Sequence, residues 1–175
     1  MTVRILLCGH GRMGQMLEQL IEDSHDLEVA GIIDIDNAED LETKNFQADV
    51  LIDFSGPGLL PRISSYVERT GTALVSGATG YDDQGQSVRD LGAFAPVIYA
   101  ENYSVGVNVM AQVAKELSAL LGSEFDVELS ETHHRYKKDA PSGTAQLLLR
   151  SIDPEGARPR VYGRSPEDGE RRPGD

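Results

Sequence analysis

Short apolar runs alternate with helix-spaced apolar positions through the first hundred residues, a pattern that predicts βαβ units. Val3 to Cys8 is an apolar run closed by Gly9, which predicts a first strand. Met13, Met16, Leu17, Leu20 and Ile21 then recur at helical spacing and predict one buried helix face. Leu27 to Ile33 predicts strand two, ending at Asp34, and Val50 to Phe54 strand three, ending at Ser55-Gly56-Pro57-Gly58. Leu59, Leu60, Ile63, Tyr66 and Val67 share one face of the helix that follows; Pro61 fits only its first turn. Ala73 to Ser76 and Val97 to Ala100 complete five strands, with a polar helix expected over 84–93. The expected class is α/β, a Rossmann-type domain over residues 1–102. In such sheets ligands bind beyond the carboxyl ends of the strands.

The pattern changes after Asn102. Val109, Met110, Val113, Leu117, Leu120 and Leu121 predict a long amphipathic helix. Phe125, Val127 and Leu129 alternate with Asp126, Glu128 and Ser130, which predicts a half-buried strand. A second helix is expected from about Gly143. Residues 153–175 are mostly Pro, Gly and charge, with only Val161 and Tyr162 offering core contacts, and are expected to be loop. Residues 103–175 thus form an α+β substrate-binding segment with one convincing strand. One strand does not make a stable sheet, so this domain is expected to be C-terminally incomplete or completed by another chain.

The 175 residues are 39% hydrophobic, enough for a core, and only 6% aromatic with no Trp, so that core is aliphatic. A net charge of -13 argues against a nucleic-acid surface, which needs a basic face. One cysteine, Cys8, excludes an internal disulfide framework. No segment approaches a membrane span, and a cytoplasmic address without a membrane or nucleic-acid partner is expected.

Two constellations carry chemistry. Gly9-His10-Gly11-Arg12-Met13-Gly14 is a full G-x-G-x-x-G between a predicted strand and a predicted helix. Gly9 allows the turn, Gly11 lets backbone approach a pyrophosphate, and Gly14 lets helix pack on sheet. The helix N–H groups then face phosphate. Asp34, twenty residues beyond Gly14, can accept from a ribose hydroxyl and would repel a 2′-phosphate. Ile35 offers no compensating cation, so NADH is preferred and NADPH is the second candidate. The competing explanation is a glycine turn that packs a helix without a ligand. The second constellation runs from Glu131 through His133, His134, Arg135, Lys137 and Lys138 to Pro141-Ser142-Gly143-Thr144. Ser142 is a plausible N-cap, and the N–H groups of Gly143 and Thr144 suit an anion. Lys137 adds a point charge, and His133 or His134 can move a proton near neutral pH. A solvated charged loop before an ordinary helix is the alternative. Adjacent histidines without further spaced ligands argue against a metal. Three further loops, at Phe54-Ser55-Gly56, Gly77-Ala78-Thr79-Gly80 and Ala100-Glu101-Asn102-Tyr103, are expected at the same sheet edge as the glycine motif.

The segment from His133 to Ala145, His-His-Arg-Tyr-Lys-Lys-Asp-Ala-Pro-Ser-Gly-Thr-Ala, closely resembles the signature of the 4-hydroxy-tetrahydrodipicolinate (dihydrodipicolinate) reductase family. Gly11-Arg-Met-Gly14, Ile52-Asp-Phe-Ser55 and Asn102-Tyr-Ser-Val-Gly-Val-Asn108 agree in order, and the Gly77 turn is similar to the family's Gly-Thr-Thr-Gly. The resemblance implies a nicotinamide-dependent oxidoreductase of lysine and diaminopimelate biosynthesis that acts on a small cyclic dicarboxylate. It implies that His133 is the catalytic acid/base and Lys137 a second proton donor. It makes His134, Gly143 and Thr144 substrate carboxylate ligands. The cofactor side would be Gly9, His10, Gly11, Arg12, Met13, Gly14, Asp34, Gly77, Ala78, Thr79, Ala100, Glu101, Asn102 and Tyr103. Family members are expected to be homotetramers that continue past the position of Asp175. Ala78 stands where the family usually has Thr, and Glu101 adds a negative charge near the cofactor. A dinucleotide-binding module without catalysis is the alternative function.

Overall fold

The computed structural model describes residues 1–135, 137 and 140–163. The chain divides into two units, Met1–Glu101 and Asn102–Asp175. In the first, β1 (Val3–Cys8) leads into α1 (Arg12–Glu22), followed by β2 (Leu27–Ile33), α2 (Asp40–Thr43), β3 (Val50–Asp53) and α3 (Leu60–Thr70). Then come β4 (Ala73–Ser76), α4 (Gln86–Asp90) and β5 (Val97–Tyr99). All five strands are parallel, in the order β2-β1-β3-β4-β5. The chain leaves β1 in one direction to make β2 and returns past it to make β3, so the strand order reverses at the carboxyl edge of β1, where α/β sheets open a crevice.

The two-residue period of β1 assigns its side chains to opposite faces. Leu6 and Cys8 enter the main core with Leu51, Ile63, Tyr66, Val67 and Leu74. Ile5 and Leu7 pack instead against Ile21 of α1, with Leu17 at its edge. Burial on both faces is why β1 reads as a continuous apolar run.

Three expectations need correction here. The buried stripe of α1 is Gly14 and Ile21 with half-buried Leu17, whereas Met13, Met16 and Leu20 are exposed. Only part of the apolar stripe finds a partner within this unit, Leu17 and Ile21 packing with Ile5 and Leu7 of β1. The expected helix over 84–93 is shorter: Gln84 and Gly85 both take positive φ, and regular α-helix runs only from Gln86 to Asp90 before a 3₁₀ turn, Leu91–Ala93. The third correction is in the second unit.

That unit contains α5 (Val105–Leu121) and α6 (Gly143–Ile152), packed on each other. Ser104 caps α5 and Ser142 caps α6, each hydroxyl accepting from an amide three residues on. Phe125 to Ser130 is not a strand, because no second strand lies beside it among the described residues and a ladder needs both partners. Most of the apolar face of α5 is correspondingly open: Val109, Val113 and Leu117 are each more than half exposed. Val161 and Tyr162 are also exposed rather than core. Residues 153–163 form neither helix nor strand, and the expectations for Tyr136, Lys138, Asp139 and 164–175 lie outside the described residues.

Candidate dinucleotide and substrate sites

A cavity of about 540 Å³ opens where the strand order reverses. Its wall comes from the ends of three strands: Gly9, His10 and Gly11 after β1, Asp34, Ile35 and Ala38 after β2, and 54–59 after β3, with Arg62 of α3. Backbone bonds align these ends. Gly9 N–H donates to the Ile33 carbonyl and Phe54 N–H to the Cys8 carbonyl, both at 2.8 Å. His10 is tied to α1 through Glu18, Nε2 to Oε2 at 2.8 Å.

The three motif glycines are not equivalent. Gly9 has φ +91°, and a side chain there would meet the Phe54 carbonyl at 2.7 Å. A Cβ on Gly14 would lie 2.0 Å from the Gly9 carbonyl oxygen. These two are required by turn and packing. Gly11 is not: a Cβ there meets nothing within 4 Å, and its backbone is ordinary at φ -73°. Gly11 is also the N-cap of α1 and supplies no side-chain acceptor, so no side chain caps the first turn. Open space, an uncapped helix N-terminus and a strand-end carboxylate on one cavity fit a nucleotide pyrophosphate and its ribose.

Asp34 keeps one oxygen busy locally: Oδ1 accepts from Ile35 N–H at 2.8 Å, and Asn37 Oδ1 accepts from Asp34 N–H at 2.6 Å. This capping box orients the carboxylate at the end of β2 while leaving the residue exposed.

The remaining expected cofactor residues are distributed. Arg12, Met13 and Gly14 form the first turn of α1. Gly77, Ala78 and Thr79 follow β4, with Ala78 buried and Gly77 against the Phe54 ring. Ala100 and Glu101 follow β5. These segments and the 540 Å³ cavity share a carboxyl edge without Gly77–Thr79 lining that cavity. Asn102 and Tyr103 belong to the second unit. There Asn102 Nδ2 donates to Thr144 Oγ1 at 3.4 Å, so a residue expected on the cofactor side meets one expected on the substrate side.

Sequence reasoning missed the role of Asp53, which is 1% exposed at the end of β3. Its Oδ1 accepts from Ser55 N–H at 2.9 Å and Ser55 Oγ at 2.5 Å, and Oδ2 accepts from Ser76 Oγ at 2.8 Å. It therefore locks the ends of β3 and β4 together beside the cavity. Burial, then the Asp53 charge, push the Tyr81 hydroxyl up to about 12, and the same two causes raise the Cys8 thiol. The available signal was an acidic residue inside an otherwise apolar strand.

In the second unit, Ser142 is 4% exposed and is gripped by Glu131, whose Oε1 accepts from Ser142 N–H at 2.9 Å and Oε2 from Ser142 Oγ at 2.5 Å. Ser142 Oγ in turn accepts from Ala145 N–H at 3.1 Å. The Ser142 bonds, more than the nearby His133 and Lys137 charges, hold the Glu131 carboxyl below its usual range. His133 Nδ1 lies 3.8 Å from Glu131 Oε2. One carboxylate thus connects the N-cap of α6 to the candidate acid. A turn closed by Lys137 N–H to the His134 carbonyl, 3.1 Å, follows. A Cβ on Gly143 would meet nothing within 4 Å. A cavity of about 700 Å³ lies elsewhere on this unit: Glu131, Ala140 and Pro141 line it, but His133, His134, Lys137, Gly143 and Thr144 do not. Glu131, Asp153, Arg158 and Arg160 stand among its apolar lining, and none of the expected acid-base groups does. Among the described residues no His, Cys, Asp and Glu cluster could hold a metal, and no helix is long and apolar enough to cross a membrane.

Fold and first site together define a dinucleotide-binding α/β protein with an added module. Family models narrow this: "Dihydrodipicolinate reductase, N-terminus" matches residues 3–103 and "Dihydrodipicolinate reductase, C-terminus" residues 106–173. The chain belongs to the dihydrodipicolinate reductase family. It is 38% identical over 177 residues to the 4-hydroxy-tetrahydrodipicolinate reductase of Methanoregula boonei, covering 92% of this chain and 69% of that protein. It is 38% identical over 144 residues to the Rickettsia rickettsii enzyme of the same name, covering 81% of this chain and 60% of that protein. A dipicolinate-bound dihydrodipicolinate reductase from Paenisporosarcina sp. TG-14 shares the fold, with TM-score 0.66 and 23% identity over 97% of this chain and 72% of that one.

Proposed function

We propose that this chain carries the cofactor and substrate sites of an NAD(P)H-dependent 4-hydroxy-tetrahydrodipicolinate reductase. The reaction converts that dicarboxylate to tetrahydrodipicolinate in lysine and diaminopimelate biosynthesis. The observation that carries the reading is Gly11. Packing explains the neighbouring glycines, whereas nothing in the protein occupies the space a Gly11 side chain would fill. That space adjoins an uncapped helix N-terminus in the cavity that also contains Asp34.

When bound, the reduced nicotinamide supplies the hydride. Overall, one hydride and one proton are consumed and the substrate hydroxyl leaves as water. The chain's own residues bind, orient and move protons. Gly9 to Gly14 cradle the pyrophosphate, and Asp34 accepts from the adenosine ribose. Gly77 to Thr79, Ala100 and Glu101 extend the cofactor surface of the first unit, and Asn102 and Tyr103 are the cofactor-side residues of the second. Gly143 and Thr144 present amide donors at the α6 N-terminus to one substrate carboxylate, with His134 beside them. Asn102 holds the Thr144 hydroxyl in place. His133 is the acid/base and Lys137 the second proton donor. Glu131 orients His133 while fixing the helix cap, a division of labour in which the carboxylate never meets the substrate.

Substrate-dependent oxidation of NADH and NADPH tests the reading, with substrate generated in situ. A positioned general acid contributes about 10²–10⁴-fold. His133→Ala and Lys137→Ala are therefore each expected to lower turnover at least a hundredfold, with NADH still bound. Undiminished turnover in both variants would refute the assignment of the acid groups.

A further inference from the structure

Ile35, next to Asp34 in sequence, offers no cation to a 2′-phosphate. The fold supplies a cation from another element. Arg62, near the start of α3, lines the same cavity as Asp34. α3 follows β3, yet Arg62 Nε donates to Glu42 Oε1 at 2.9 Å, and Glu42 lies on α2, which follows β2. β2 and β3 flank β1 on opposite sides. The bond therefore draws the guanidinium from the β3 side toward the β2 side, the side on which Asp34 ends its strand.

Only Nε is engaged. Both terminal amino groups of Arg62 are without a protein partner among the described residues, and the side chain is 40% exposed. A guanidinium anchored through Nε presents its two amino groups as a planar fork, a geometry matched to phosphate oxygens. Gly56-Pro57-Gly58 line the same cavity, and a Cβ on either glycine would meet nothing within 4 Å, so a bulky anion has room.

We propose that Arg62 is the residue that sets NADPH against NADH in this chain. Its amino groups take the ribose 2′-phosphate of NADPH, Asp34 takes the 2′-hydroxyl of NADH, and Glu42 both steers the guanidinium and competes for it. This rests on the dinucleotide reading of the cavity. The site accepts both cofactors, because the cation offsets the repulsion between Asp34 and a 2′-phosphate.

Equilibrium binding tests it without turnover. NADH and NADPH are titrated by fluorescence into the wild type, Arg62→Ala, Arg62→Lys and Glu42→Gln, with adenosine 2′,5′-bisphosphate and AMP as competitors. The ratio of NADPH to NADH affinity is expected to fall at least tenfold in Arg62→Ala and less in Arg62→Lys, and to rise in Glu42→Gln, where the fork is released. The preference for the bisphosphate over AMP should fall with it. An unchanged ratio in Arg62→Ala, equal loss of both cofactors, or a wild type that binds NADH but not NADPH would each overturn the assignment. A wild type that binds neither would overturn the dinucleotide reading as well, which separates the two failures.

Discussion

Adding one methyl group at Gly11 and, separately, at Gly14 distinguishes a glycine kept for a ligand from one kept for packing. In Gly11→Ala the new Cβ enters open space at φ -73°, a conformation alanine adopts freely. The unfolded chain loses freedom worth about 0.4–1 kcal/mol, and alanine is a poorer N-cap than glycine by a similar amount, so stability should stay within about 1 kcal/mol of wild type. In Gly14→Ala the new Cβ sits 2.0 Å from a backbone oxygen, against at least 3.4 Å in ordinary contact, so α1 or the turn must shift by more than an ångström. Overpacking of this kind costs about 1–3 kcal/mol, and alanine's helix propensity returns about 1 of it. A net loss of up to about 2 kcal/mol corresponds to a fall in Tm of about 4–8 °C for each kcal/mol in a domain near 100 residues. Thermal melts and NADH titration of both variants read the two effects separately. Gly11→Ala should melt close to wild type yet bind NADH at least tenfold more weakly, about 1.4 kcal/mol. Gly14→Ala should lose both. A Gly11→Ala protein that melts low, or that binds NADH with wild-type affinity, would refute the assignment of that space to a cofactor.

Asp53→Ala removes the acceptor for three hydrogen bonds. Water can serve the part-buried Ser55, but Ser76 is fully buried. With bonds to charged groups worth about 1.5–3 kcal/mol each, the net loss should be about 2–3 kcal/mol by urea unfolding. A loss under about 0.5 kcal/mol would mean that the lock between β3 and β4 is not structural. Glu131 makes the α6 cap pH-dependent. Its carboxyl is lowered on folding, so its contribution is fully present above the ordinary value of 4.5 and is lost as pH falls through the folded value. Amide exchange at Ala145, corrected for its intrinsic pH dependence, should accelerate below about pH 4 in wild type. In Glu131→Gln, protection there should be weaker at neutral pH and flat across the same range. Wild-type protection that is flat from pH 3 to 7 would refute the clamp.

The sequence by itself determined the strand-helix alternation of the first unit, because a parallel strand buried on both faces must be apolar throughout and its ends must break into glycine and polar turns. Val3–Cys8 is legible for that reason, whereas Leu27–Ile33, a partly buried edge strand, is legible from its β-branched run and the polar turn at Asp34. The helix cap at Ser142 was legible too, since Pro-Ser-Gly-Thr before an apolar run has few other uses. Local pattern did not decide which apolar positions are buried: Met13, Met16 and Leu20 follow the same period as Ile21 but fall outside the part of the sheet that α1 covers. Nor did alternation make a strand of Phe125–Ser130, since pairing depends on a neighbour far along the chain. The same holds for the side chains that tune the candidate sites. Asp53 meets Ser76 across 23 positions, Arg62 meets Glu42 across 20, and Glu131 meets Ser142 across 11. Distances of that order along the chain are closed only by the sheet order and by the fold of the second unit. Tertiary structure therefore decided which charges face each cavity, while local pattern carries the glycine turn after β1 and the cap of α6.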